Sequence, residues 1–116
     1  MVPYDEELAH RVRAAITAGH RVTEQRMFGG LAFLIGGHMA VAVSGQGGLL
    51  VRADPAESDR LVETTVADEM VMRGRPMRGW LRVPASAVTT KRQLERWIRI
   101  GATYAASLPP KSAKRR

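Results

Sequence analysis

Between Arg26 and Arg52 lie twenty-five residues without a formal charge, taking His38 as neutral. A stretch of that length is long enough to cross a bilayer as a helix. Seven glycines argue against that reading. Gly29, Gly30, Gly36, Gly37, Gly45, Gly47 and Gly48 cut the stretch into the short apolar runs Leu31–Ile35, Met39–Val43 and Leu49–Val51. Short runs bounded by glycine pairs indicate strands joined by tight turns. Gly36-Gly37 supplies a two-residue hairpin turn, and Ser44 to Gly48 a looser one. Gly29-Gly30 interrupts what otherwise reads as one strand from about Glu24 to Ile35, which predicts a bulge or a close backbone approach. No Gly-Lys-Ser/Thr follows these glycines, and no spaced-glycine pattern opens a helix, so all seven read as architectural.

Helices flank this ribbon. Leu8, Val12, Ala15 and Ile16 place one apolar stripe along a helix over 5–18, with Asp5 as its cap and Glu6 and Glu7 in the positive first turn. Gly19 stops it. Asp54-Pro55-Ala56-Glu57 opens a second helix reaching about Glu63. Glu69–Met72 and Gly79–Val83 read as strands, with Arg73–Arg78 turning between them. Thr90-Lys91-Arg92-Gln93 has capping-box spacing. The helix that follows carries Leu94, Trp97, Ile98, Gly101, Tyr104, Ala105 and Leu108 on one face and ends at Pro109-Pro110. The order α-β-β-β-α-β-β-α predicts an α+β domain of two layers, an antiparallel sheet of about five strands under three helices. One domain over 1–110 is expected, with 111–116 as a flexible basic tail.

The chain has 116 residues, 45% of them apolar, which suits a single core. It has no cysteine, so disulfides, thiolate metal sites and cysteine nucleophiles are excluded. His10, His20 and His38 have no metal-ligand spacing, and Ser44-Gly45 lacks the surroundings of a hydrolase nucleophile. His38 at its turn reads as solvent-facing. No catalytic residue, metal or cofactor is expected, and the protein reads as non-enzymatic. The segment Met1–Glu7 is acidic and polar, unlike a targeting signal, so a cytoplasmic protein with no membrane partner is the expectation. Phe28, Phe33, Trp80 and Trp97 read as core. Met27, Met39, Met70, Met72 and Met77 serve either as core filler or as an adaptable binding surface. A sheet with helices on one face leaves the other in need of cover, which makes a homodimer an option.

The net charge of +7 is unevenly spread. Residues 1–72 hold six arginines against ten carboxylates, whereas residues 73–99 hold seven arginines and Lys91 against Glu95 alone. This basic rear half supplies the candidate anion or nucleic-acid contacts: Arg73, Arg75 and Arg78 around the predicted turn, and Arg92, Arg96 and Arg99 as a ridge on the last helix. Lys111, Lys114, Arg115 and Arg116 add to them from the tail. Arg73-Gly74-Arg75-Pro76 is also the core of an AT-hook, in which a flexible segment lays two arginines into a minor groove. The competing reading is a hairpin turn with solvated arginines.

Four segments in order carry a resemblance to a known family. They are Tyr4-Asp5-Glu6-Glu7-Leu8, Arg26-Met27-Phe28-Gly29-Gly30-Leu31-Ala32-Phe33, Gly74-Arg75-Pro76-Met77-Arg78-Gly79-Trp80 and Ser107-Leu108-Pro109-Pro110-Lys111. Together they resemble the N-terminal domain of the TfoX/Sxy family of bacterial competence regulators, over about residues 4–111. The resemblance implies an α+β domain without catalytic residues. It also implies a role in transcription of DNA-uptake genes through a protein partner, the cyclic-AMP receptor protein. Full-length competence regulators add a helical C-terminal domain. This chain reads as the first domain standing alone, an arrangement to which competence control does not carry over directly.

Overall fold

The computed structural model describes residues 3–27 and 29–111. Helix α1 (Glu6–Ile16) starts where Leu8 N donates to Asp5 Oδ1 at 3.1 Å, and its stripe of Leu8, Val12 and Ile16 is buried. Strands β1 (Thr23–Met27), β2 (Gly30–Ile35), β3 (His38–Val43) and β4 (Leu49–Arg52) follow as an antiparallel meander. A single 3-10 turn at Pro55–Glu57, capped by Asp54, leads into the short helix α2 (Ser58–Thr64). Strands β5 (Asp68–Met72) and β6 (Arg75–Val83) form a hairpin, and helix α3 (Lys91–Ser107) closes the order. At its start Gln93 N donates to Thr90 Oγ1 while Thr90 N donates to Gln93 Oε1, the reciprocal capping box its sequence predicts.

The α+β, two-layer expectation is borne out, with six strands in the order β1-β2-β3-β4-β6-β5. The extra strand comes from Gly29-Gly30. Instead of bulging one long strand, the chain reverses there, with Met27 paired to Gly30 and Gly29 at φ 74°. The second difference lies at Arg73–Arg78. Only Arg73 and Gly74 turn, at φ 55° and 77°, and Arg75 already pairs with Met72. Consecutive positive φ values match the twist of a two-residue hairpin, so no longer turn is needed.

All three helices pack on one face of the sheet. There Leu31, Phe33, Val41, Val43, Val51 and Leu81 meet the stripe of α1, Leu61 of α2 and Leu94, Trp97 and Ile98 of α3. Alternation along the strands sends Ala32, Leu34, Ala42 and Leu50 to the opposite face, where they are also buried. Met27, Met39, Met70, Met72, Met77 and Trp80 pack around them. Met27 on β1 and Met70 on β5 come from the two edges of the sheet yet line one small cavity of about 30 Å³. The sheet therefore curls on itself, and flexible thioethers fill the curl. A second copy of the chain is not needed to bury the centre of this face. Trp80 is half-buried here, while Phe33 and Trp97 are in the main core, and Phe28 lies outside the described residues.

Candidate functional site: the cleft between α2 and α3

The candidate cations of the basic rear half fall into separate groups. Arg92, Arg96 and Arg99 are exposed along α3. Arg73 and Arg75 sit at the exposed tip of the β5–β6 hairpin. Arg78 is tied down beside α2, its Nη1 donating to Asp59 Oδ1 at 3.3 Å and its Nη2 to the Pro55 carbonyl at 3.2 Å. Lys111 sits at the β2–β3 turn, where its N–H donates to the Gly36 carbonyl at 2.8 Å. Lys114, Arg115 and Arg116 lie outside the described residues. The Arg-Gly-Arg-Pro segment is a closed turn running into a paired strand, not the extended segment of an AT-hook.

His38 is half-buried rather than solvent-facing. Its Nε2 donates to the Pro109 carbonyl at 2.7 Å, and its Nδ1 is buried without a partner among the described residues. Residues 109–111 after α3 are thus held against the β2–β3 turn. Among the described residues no three histidine or acidic side chains converge as metal ligands, and no helix is long and apolar enough to cross a membrane.

A wide hollow lies between α2 and the C-terminal half of α3. Helix α3 packs against α1, β3 and β4, whereas α2 leans on β6 and stands apart from it. The gap is a cleft of about 480 Å³, within the range of small-molecule sites. Its floor is apolar: Ala53 and Leu61, 1% and 2% exposed, with the half-buried Ile100 and Tyr104. Its polar wall comes from Arg99, Thr103 and Ser107, which the helix repeat stacks at i, i+4 and i+8. Arg60 and Glu57 of the opposite wall satisfy each other through a hydrogen-bonded ion pair. Asp54 is engaged as a cap, accepting from Ala56 N at 2.9 Å.

The Tyr104 ring is fixed from behind. The Arg52 guanidinium stacks between it and Trp80, 5.5 Å and 4.9 Å from the two ring centroids. Next to the cleft, towards the start of α3, Arg96, Trp97 and Gln93 face Thr64, Thr65 and Val66 across a second hollow of about 330 Å³. Of the basic candidates among the described residues, the structure brings only Arg96 and Arg99 into this groove. Sequence reasoning missed Arg60, Thr103, Tyr104 and Ser107 as a set. The spacing of Arg99, Thr103 and Ser107 was the one available signal, and nothing local to it showed that α2 stands opposite.

No curated protein matches the chain. A family model does: the TfoX N-terminal domain matches residues 14–105, from the last turn of α1 to near the end of α3. Four-fifths of the sequence, including every strand of the sheet, is thereby accounted for, and the chain belongs to the TfoX N-terminal domain family.

Proposed function

We propose that this protein is a cytoplasmic, non-enzymatic regulatory domain of the competence-regulator kind, acting by contact with another protein. The observation that carries the reading is the outer side of α3 where it runs past Val66. Arg92 and Arg96 are exposed there, and none of the four ion pairs among the described residues includes them. Val66, which lines one hollow with Arg96, is 61% exposed, the largest exposure of any bulky apolar residue described. An apolar residue next to uncompensated cations suits a partner surface with acidic groups around an apolar contact. The family resemblance names the cyclic-AMP receptor protein as the first partner to try.

The test is a titration of that receptor protein with the purified chain, followed by fluorescence anisotropy. Saturable binding that is lost in the Arg92→Glu/Arg96→Glu variant and weakened in Val66→Asp supports the reading. No binding, or binding indifferent to all three changes, overturns it.

A second reading, direct contact with nucleic acid, is favoured by the β5–β6 tip. Arg73 and Arg75 are presented there by a hairpin turn, and a two-stranded ribbon is a shape that a major groove admits. It requires affinity for duplex DNA that falls steeply with salt and drops in Arg73→Ala/Arg75→Ala. Flat anisotropy against duplex DNA at low salt removes it.

A further inference from the structure

We propose that the cleft between α2 and α3 binds a small organic anion with an apolar, preferably aromatic, body. The inference is separate from the protein-contact reading, which rests on Arg92, Arg96 and Val66. It starts from what each polar group of the cleft is already doing. Glu57 has its own counter-ion in Arg60, and Asp54 is committed to the backbone of the 3-10 turn. Ser107 Oγ donates to the Tyr104 carbonyl at 2.6 Å, which leaves its oxygen as an acceptor.

Of the two cations in the cleft, Arg60 and Arg99, Arg99 is the exception, because it belongs to none of the ion pairs among the described residues. Thr103 is a second one. Thr64 in α2 and the C-cap residues Thr17 and Thr65 each donate a hydroxyl to the carbonyl four residues earlier, a bond open to threonines in and at the ends of helices. Thr103, in mid-helix, makes no such bond among the described residues, so its hydroxyl is available one turn along from the Arg99 guanidinium. The uncommitted groups are thus a fixed positive charge and an adjacent hydroxyl donor, a pair that suits a carboxylate or a phosphate monoester.

The floor selects the rest of the ligand. Leu61 and Ala53 are almost completely buried and back the cleft, so the apolar surface open to a ligand comes mainly from the half-buried Ile100 and Tyr104. Tyr104 carries the Arg52 guanidinium on its ring, and Arg52 in turn stacks on Trp80, so the ring is held in place as a surface for stacking. Bare inorganic anions leave this floor wet, and neutral aromatics leave Arg99 unanswered. Only a molecule with both parts uses the whole cleft.

The experiment is a set of amide NMR titrations of the full chain with benzoate, phenyl phosphate, benzamide and inorganic phosphate, each to millimolar concentration. Benzoate or phenyl phosphate is expected to shift the amides of Ala53, Leu61 and residues 99–104 saturably. Benzamide and inorganic phosphate are each expected to bind at least about tenfold more weakly. Arg99→Gln is expected to bring the anions down to the level of benzamide. Thr103→Trp, which fills the cleft from an exposed helix position, is expected to abolish all shifts there. Both positions are exposed, so folding is expected to survive, and the unperturbed amides of the β2–β3 region check it in each variant. No saturable shift by either organic anion, equal binding of benzamide and benzoate, binding that survives Thr103→Trp, or shifts centred elsewhere each overturn the proposal.

Discussion

Gly101 of α3 lies directly against the backbone carbonyl of Ala40 on β3. A Cβ at this position would run into Ala40 O and press on Val41 Cγ1, so the helix rests on the sheet with nothing between two backbones. In an exposed helix interior, glycine to alanine is worth roughly 1 kcal/mol of added stability. Here the sign reverses. Gly101→Ala is expected to cost about 1–3 kcal/mol, the usual range for overpacking a core, because relief requires the helix to lift. Thermal unfolding of the two proteins measures it, and a Tm at or above the parent value contradicts the packing.

Arg13 ties α1 to the edge strand β1 through a two-pronged pair with Glu24, one prong being Nη2 to Oε1 at 2.9 Å. The hydrogen bonds from Arg13 hold the Glu24 carboxyl below its usual range, against a smaller opposing effect of desolvation. A carboxyl whose pKa is depressed on folding lends stability above its unfolded pKa and loses it as the pH falls through the folded value. Both side chains are about a third exposed, so the pair is worth no more than about 1 kcal/mol. Glu24→Gln is therefore expected to be slightly less stable than the parent at neutral pH, with the gap closing in acid below the carboxylate range. Denaturant unfolding at several pH values follows that gap. A gap that stays constant from neutral to acid pH shows that the pair contributes nothing through its charge.

Ser58 is the one fully buried polar side chain among the described residues, and it joins three elements. Its Oγ donates to Glu69 Oε2 on β5 at 3.1 Å and accepts from Gly79 N on β6 at 3.3 Å. Ser58→Ala leaves a buried N–H without its acceptor, a loss of about 1–3 kcal/mol. The Gly79 amide is expected to exchange with solvent markedly faster in the variant, while amides of β2 and β3 keep their relative protection. Unchanged exchange at Gly79 means that the hydroxyl is not its partner.

These three positions also mark what the sequence could and could not convey. Asp5, Thr90 with Gln93, and Gly36-Gly37 act within four residues of themselves, so their roles as caps and turn were legible from spacing alone. Gly101 had a readable place on the apolar face of α3 but no readable partner, because Ala40 is sixty-one residues away. Gly29 was ambiguous for a different reason. A glycine at positive φ serves a bulge or a reversal equally well, and only the pairing of Met27 with Gly30 decides between them. The cleft was hidden but for the spacing of Arg99, Thr103 and Ser107. Arg99 and Thr103 carry an ordinary helix-surface pattern, and their meaning depends on α2 standing off from α3 through its seat on β6.

Arg73 holds the only positive φ among the described non-glycine residues, at 55°, in the first of the two turn positions between β5 and β6. An L-residue pays roughly 1–2 kcal/mol for that conformation, which asparagine lowers by local hydrogen bonding and glycine by lacking a Cβ. The side chain is exposed and its guanidinium joins no ion pair among the described residues, so little is lost by removing it. Arg73→Asn is expected to raise stability by about 0.5–1 kcal/mol, which in a domain of this size moves the Tm upward by several degrees. Pairing that change with Arg75→Ala separates backbone from charge, because Arg75 lies in ordinary strand geometry and its loss is expected to leave stability within about 0.5 kcal/mol of the parent. Calorimetric Tm values for the two single variants decide the matter. If Arg73→Asn is no more stable than the parent, the turn does not hold residue 73 in the left-handed region.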